Sequence, residues 1–268
     1  MEKILEVKNL TKKFGDFTAV NSISFAIDKG EIFGLVGPNG AGKTTTIKIL
    51  STLLPKTMGE AYIGHFDVTK NASKVRRLIG YVPQLLSADG NLTGYENLLI
   101  FAKLYDIPSV DREKRIRDSL NFMGLAESAD KLVKQYSGGM IRRLEIAQAV
   151  LHHPLILFLD EPTVGLDPLA RESVWDYVKQ LAVNGTTILM TTHYLEEADA
   201  ICNHVAILNK GNIAAIGSPD KLKKSVRNES ISLNEVYEFY VGKSMESEQL
   251  KGNFKDVSRT RRTAKRLG

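Results

Sequence analysis

The chain has 268 residues, 43% of them hydrophobic and 25% charged, a balance that suits a globular domain able to bury a full core without staples. A lone cysteine, Cys202, excludes an internal disulfide and points to a reducing compartment. The net charge of +5 resides at the end of the chain: from Lys251 onward seven basic residues face one acid, which leaves −1 for everything before them, so the body lacks the basic excess of a nucleic-acid binder.

The opening MEKILEVKNL has charges inside its apolar stretch and does not read as a signal peptide. Its KILEVKNL and the later FTAVNSISFAI predict strands joined by a turn around KKFGD. EIFGLVG predicts a buried strand, followed by a glycine loop and by KTTTIKILSTLL as a helix; EAYIG and IGYVPQ are short strands around the helical ASKVRRL. From Leu92 to about Leu125 the apolar spacing is helical, and SGGMIRRLEIAQAVLHH continues as an amphipathic helix stopped by Pro154. An α/β rhythm then returns: LILFLD, TTILMTTH and the hairpin VAILNKGNIAAIGS as strands, PLARESVWDYVKQLAV, YLEEADAI and SPDKLKK as helices, the last capped by Ser218. The longest strongly apolar stretch, Leu155–Leu159, is too short to cross a bilayer. Strands alternating with helices imply a mostly parallel sheet with ligands at the strand C-terminal ends.

GPNGAGKT, Gly37 to Thr44, fits the GxxxxGK[ST] phosphate loop in full. Gly37, Gly40 and Gly42 let backbone N–H groups close around phosphate oxygens, Lys43 adds a positive charge, and Thr44 offers a hydroxyl to Mg²⁺. The preceding strand and following helix supply the context the motif needs. LILFLDE places Asp160 and Glu161 at the same edge, where Asp160 can hold Mg²⁺ and Glu161 can polarise a water; a helix-cap aspartate beside a solvated glutamate is the plain alternative. His193 ends another strand near that edge, and Gln84 follows IGYVP; each is either a reader of the γ-phosphate and water or ordinary structure. YSGGM, Tyr136 to Met140, opens a helix with a second anion-holding arrangement.

In that order GPNGAGKTT, Gln84, YSGGM, LILFLDEPTVGLD and His193 resemble the ATPase subunits of ABC transporters, over roughly Lys3 to Ser225. The signature region is most similar to the drug-resistance and other ABC-2-type exporter ATPases. The resemblance implies an α/β fold: a P-loop NTPase core with a mostly parallel sheet, an N-terminal antiparallel β subdomain and a helical insert carrying the signature. It implies a cassette over residues 1–225 with the insert at about 85–150; beyond it, SLNEVYEFYVG reads as part of a short helical extension, 226–250, and the basic run as a disordered tail, 251–268.

It also implies roles. Phe14 stacks on adenine; Gly37, Pro38, Asn39, Gly40, Ala41, Gly42, Lys43, Thr44 and Thr45 hold the nucleotide; Thr44, Gln84 and Asp160 hold Mg²⁺; Glu161, His193 and Gln84 act in hydrolysis. Ser137, Gly138, Gly139 and Met140 act on the ATP of a partner cassette, beside the loop containing Asp167. Tyr136 and Met140 depart from the usual LSGGQ, and Val164 stands where serine is usual. The implied cofactors are ATP and Mg²⁺. The implied partners are a second copy or related cassette, paired head to tail, and polytopic membrane subunits that export a drug, lipid or glycan, with the chain at the cytoplasmic face of the membrane and no nucleic acid bound. The alternative is an ABC-type ATPase of DNA repair or the ribosome. A repair ATPase needs a long coiled coil between phosphate loop and signature, and a ribosomal factor carries two cassettes; neither feature is present in this sequence.

Overall fold

Strands β1 (Lys3–Phe14) and β2 (Phe17–Asp28) pair antiparallel across a turn made by Gly15 and Asp16. That turn is tighter than expected, because Lys12–Phe14 remain in the strand. Register shifts along β1, with Asn9 at φ 49, absorb the irregularity, and the ladder runs on to the hairpin tip. The computed structural model describes residues 2–226 and 231–242; the basic tail at 251–268 and residues 243–250 of the expected extension lie outside them.

After β3 (Ile32–Val36) and α1 (Lys43–Leu50) come β4 (Met58–Ile63) and β5 (Phe66–Asp67), which complete an antiparallel sheet of order β2-β1-β4-β5. Next are α2 (Ala72–Leu78) and β6 (Ile79–Val82), then helices α3 (Gly94–Leu104), α4 (Ser109–Phe122) and α5 (Gly138–Val150) before β7 (Ile156–Asp160). The chain continues through α6 (Pro168–Val183), β8 (Thr187–Thr192), α7 (Leu195–Ile201), β9 (His204–Asn209), β10 (Asn212–Gly217) and α8 (Pro219–Val226). Residues 233–242 are helical, within the stretch read as an extension. The second sheet has the order β10-β9-β3-β8-β7-β6, parallel except for β10. The predicted α/β class, with an antiparallel subdomain and a mostly parallel core sheet, is therefore the observed one.

Every residue of β3, β7 and β8 is buried, which explains why these strands read as continuous apolar runs. Their two faces serve different cores, as the period of two requires. Ile156 and Phe158 join the cluster between the two sheets, with Phe33, Leu35 and Ile47. Leu157 and Leu159 join the cluster on the other face, with Leu144, Ile146 and Val174 from the helices. The helix α3 starts at a capping box, Thr93 Oγ1 accepting from the Glu96 amide while Glu96 accepts from the Thr93 amide at 2.8 Å. Among the described residues no helix is long and apolar enough to cross a membrane.

One half-buried contact ties the helices to the sheet edge. The His152 ring stacks on Tyr105, centroids 3.7 Å apart, and its Nε2 lies 3.0 Å from the Ile79 carbonyl oxygen. Its Nδ1 is buried without a partner, so a proton there would create a charge with nothing to balance it. Burial accordingly pushes the imidazole from 6.5 down to about 4. The unfolded chain takes up the proton first, so the stability this site contributes is whole above about pH 6.5 and drains as pH falls towards 4. His152→Phe, which keeps the stack, should remove that part of the acid sensitivity, about 1–2 kcal/mol between pH 7 and pH 4 once the water reaching this partly buried ring is allowed for. Urea midpoints measured across this range check it; parallel pH profiles of the two chains would overturn it.

Candidate functional site

Because β3, β8, β7 and β6 run parallel, their C-terminal ends lie along one edge. The β3 strand feeds the loop Gly37–Gly42, which leads into α1. The loop is wedged between neighbouring strands: a Cβ on Gly37 would meet the Leu208 carbonyl oxygen at 2.3 Å, and one on Gly42 the Ala19 carbonyl oxygen at 2.6 Å. Both also have positive φ, 153 and 104, so glycine is required twice over. The N-terminus of α1 has no capping side chain and no acid in its first turn. Its free N–H groups and positive dipole end therefore suit an anion.

Charge converges on Glu161. Its Oε1 lies 3.3 Å from Lys43 Nζ, with the two side chains only 6% and 4% exposed. Lys43 Nζ also donates to the carbonyls of Gly37 (2.7 Å) and Pro38 (3.1 Å). Glu161 Oε2 accepts from Gln84 Nε2 at 3.3 Å and lies 3.1 Å from His193 Nδ1. The structure thus brings Lys43, Gln84, Glu161 and His193 into one cluster. Glu161 itself has φ 49, in the left-handed region that non-glycine residues enter at a cost. Asp160, fully buried beside it, accepts from Thr44 Oγ1 at 3.0 Å and from Thr191 Oγ1 at 2.7 Å.

A cavity of about 450 Å³ opens on this cluster. Phe14, Asn39, Gly40, Gly42, Lys43, Thr44, Thr45, Gln84 and Glu161 line it, so it reaches from the aromatic end of β1 to the carboxylate. Gly37, Pro38 and Ala41 shape the loop behind this lining. Lys12 Nζ sits 4.9 Å from the centre of the Phe14 ring, within cation–π range. The oxygens of Thr44, Asp160 and Gln84 are the hard donors that Mg²⁺ takes. Among the described residues no group of three or more His, Cys, Asp or Glu could hold a metal by itself, so such an ion fits here only if phosphate or water oxygens complete its shell.

Ser137, Gly138, Gly139 and Met140 do not line this cavity. Ser137 caps α5, its hydroxyl accepting from the Met140 amide at 3.3 Å, and Ser137 and Gly138 are exposed. Gly138 and Gly139 approach Leu166 and Ala170 so closely that an added Cβ would meet their side chains at 3.3 and 2.9 Å. Asp167 is also exposed and caps α6 through the Ala170 amide. The signature and the loop around Asp167 therefore form one surface, apart from the chain's own phosphate loop.

Sequence reasoning missed Phe17, Ala19 and Thr191, of which the first two line the cavity. Phe17 lines the cavity and pairs directly across the turn with Phe14; the two-residue gap around Gly15–Asp16 was the signal. Thr191 donates to Asp160 and accepts from the Glu161 amide at 3.0 Å. It was hidden because a threonine inside a buried strand reads as ordinary β-branched core.

These features define a P-loop nucleotide-binding cassette. Residues 20–164 match the family model described as ABC transporter. The chain is 40% identical over 228 residues to the linearmycin resistance ATP-binding protein of Bacillus subtilis, covering 85% of this chain and 73% of that one. It is 40% identical over 231 residues to the daunorubicin/doxorubicin resistance ATP-binding protein of Streptomyces peucetius, covering 86% and 70%. A solved ATP-binding subunit of an ABC transporter superposes with a TM-score of 0.79 at 30% identity, over 89% of this chain and 99% of that one. The chain belongs to the ATP-binding subunits of ABC transporters, and it is an ATPase.

Thr191→Val removes the one hydroxyl that serves both Asp160 and the Glu161 amide. With those buried groups left short of a partner, unfolding free energy should fall by about 1–3 kcal/mol, whereas Thr191→Ser should restore most of it. Denaturant titration of the three chains decides; equal stability of the Val and wild-type chains would mean the bonds contribute nothing.

Proposed function

We propose that this chain powers export through separate membrane-spanning subunits, working as a head-to-tail dimer at the cytoplasmic face of the membrane. The observation that carries the reading is the convergence of Lys43, Gln84 and His193 on Glu161 beside the phosphate loop. The names of the drug-resistance relatives support a drug-like cargo, and a 39% identical Nod factor export ATP-binding protein of Ralstonia nicotianae supports the outward direction.

The phosphate loop, Gly37 to Thr45, holds the triphosphate, with Phe14 against the adenine. Glu161 takes a proton from the attacking water, while His193 and Gln84 fix that carboxylate and read the γ-phosphate. Mg²⁺, held by Thr44, Asp160 and Gln84, would offset charge on the β- and γ-phosphates. Lys43, now paired with Glu161, can turn its ammonium to the phosphates and so release the carboxylate for its role as base.

Dimerisation explains the two anion nests. Ser137, Gly138, Gly139 and Met140 sit on an exposed helix start away from the chain's own cavity, so they serve a partner's ATP, with Asp167 beside them. The cassette spans residues 1–225, with its insert at about 85–150.

Glu161→Gln should bind ATP and slow hydrolysis by ~10²–10⁴-fold, the usual worth of a general base, and should accumulate as an ATP-bound dimer. Near-normal turnover in a phosphate-release assay would sink the assignment. A second test mixes Lys43→Ala with Ser137→Arg. Each alone damages both composite sites; a mixed dimer rebuilds one whole site, from the phosphate loop of the Ser137→Arg chain and the signature of the Lys43→Ala chain. Activity, or an ATP-dependent dimer, should appear only in the mixture. Neither appearing would argue that both elements act within one chain.

A further inference from the structure

The helix that begins at the signature buries charge where its sequence reads as a solvated face. Arg142, Glu145 and Gln148 of α5 lie on one stripe, and all three are buried. Arg142 and Glu145 form an ion pair at 3.0 Å with both side chains 2% exposed. Their hydrogen bonds, however, go elsewhere. Arg142 NH1 donates to the Pro83 carbonyl at 2.7 Å and NH2 to the Gln84 carbonyl at 2.8 Å. Glu145 Oε1 accepts from the Ser87 amide, from the Ser87 hydroxyl at 3.1 Å and from the Ala88 amide at 3.3 Å. Gln148 donates to Asn97 Oδ1 at 3.3 Å, and Asn97 in turn accepts from the Asp89 amide at 3.0 Å.

The loop held in this way has little else to hold it. Its own large apolar residues, Leu85 and Leu86, are 81% and 52% exposed, so apolar burial does not fix its course. Between the end of β6 and Ala88, the position of the Gln84 backbone is set by a guanidinium on one side and a carboxylate on the other. Such charge-assisted bonds are directional and short-ranged, and each ion offsets part of the burial cost of the other.

We propose that Arg142 and Glu145 are positioning residues for Gln84: they clamp residues 83–88 to the signature helix, and so keep the Gln84 amide within reach of Glu161. The proposal rests on the reading of Gln84 and Glu161 as site residues given above. It has a mechanical consequence. The helix whose exposed N-terminus serves a partner's nucleotide is the same rigid body that holds the glutamine serving the chain's own nucleotide. A displacement of α5 on dimer closure is therefore delivered to Gln84 through two side chains, without passing through the apolar core.

The test uses the full chain. Arg142→Met/Glu145→Leu exchanges the pair for apolar side chains of similar length, so that no charge is left buried alone. This variant should unfold cooperatively and keep its affinity for a labelled ATP analogue, while kcat for hydrolysis falls by about 10–100-fold, the scale of a misplaced site group. Adding Gln84→Ala should then cost little more than Gln84→Ala costs by itself, because residues that act through one another do not add. Ser87→Pro, which removes the amide that Glu145 holds but leaves both ions, serves as the second variant should the apolar pair fail to fold, and should lower kcat in the same non-additive way. Wild-type kcat in the variant that folds, a loss confined to KM, or losses that multiply with Gln84→Ala would each overturn the proposal. Glu161→Gln measured alongside separates the layers. If it turns over normally, the reading of the site fails; if it is inactive while the clamp variants are normal, only the clamp fails.

Discussion

Lys43 and Glu161 face each other at 3.3 Å with almost none of either side chain in water. An ion taken out of water alone costs several kcal/mol, so each of these is tolerable only while the other is present. They come from distant parts of the sequence, one at the start of α1 and the other just beyond β7. What brings them together is the sheet order, in which β8 alone separates β3 from β7. That middle strand also supplies Thr191, whose hydroxyl and carbonyl hold the Glu161 amide at 3.0 and 3.2 Å. The same residue fixes Asp160. The positive φ of Glu161 is therefore offset by bonds that only this strand order can provide.

The helices beyond β6 solve a different problem. Apolar packing secures α3, α4 and α5 to one another and to the sheet, but such packing is non-directional and tolerates small slides. Where α5 meets the loop after β6, the contact is made by ions and amides instead, although Arg142 Nε and Glu145 Oε2 stay buried without a hydrogen bond. Buried polar networks of this kind are costly when half satisfied and rigid when complete. The outer end of the same helix is exposed glycine and serine packed on the start of α6. A single rigid rod thus joins an open surface to the loop beside the phosphate site.

The chain belongs to the ATP-binding subunits of ABC transporters, and among the described residues no helix is long and apolar enough to cross a membrane. Leu85, Leu86 and the first residues of the signature, Ser137 and Gly138, are exposed. Both are attached to elements joined by buried polar contacts between α5 and the loop after β6.

Much of this was legible from the sequence. The phosphate loop, the paired acids and the strand-end histidine are local patterns, and local backbone preferences together with hydrophobic period determine where they fall on strands and helices. The continuous apolar runs likewise announced strands covered on both faces. Other features had no local mark. The tight Gly15–Asp16 turn depended on register shifts along its partner strand, and the role of Thr191 on which strands flank β8. In α5 an i, i+3, i+6 stripe of Arg142, Glu145 and Gln148 has the pattern of a face turned to water, and it is buried only because the loop 83–88 folds over it. A sequence specifies which groups are polar and how far apart they sit along one element. Whether water or another segment satisfies them is settled by the packing of elements distant in the chain, and for this protein that packing decided the difference.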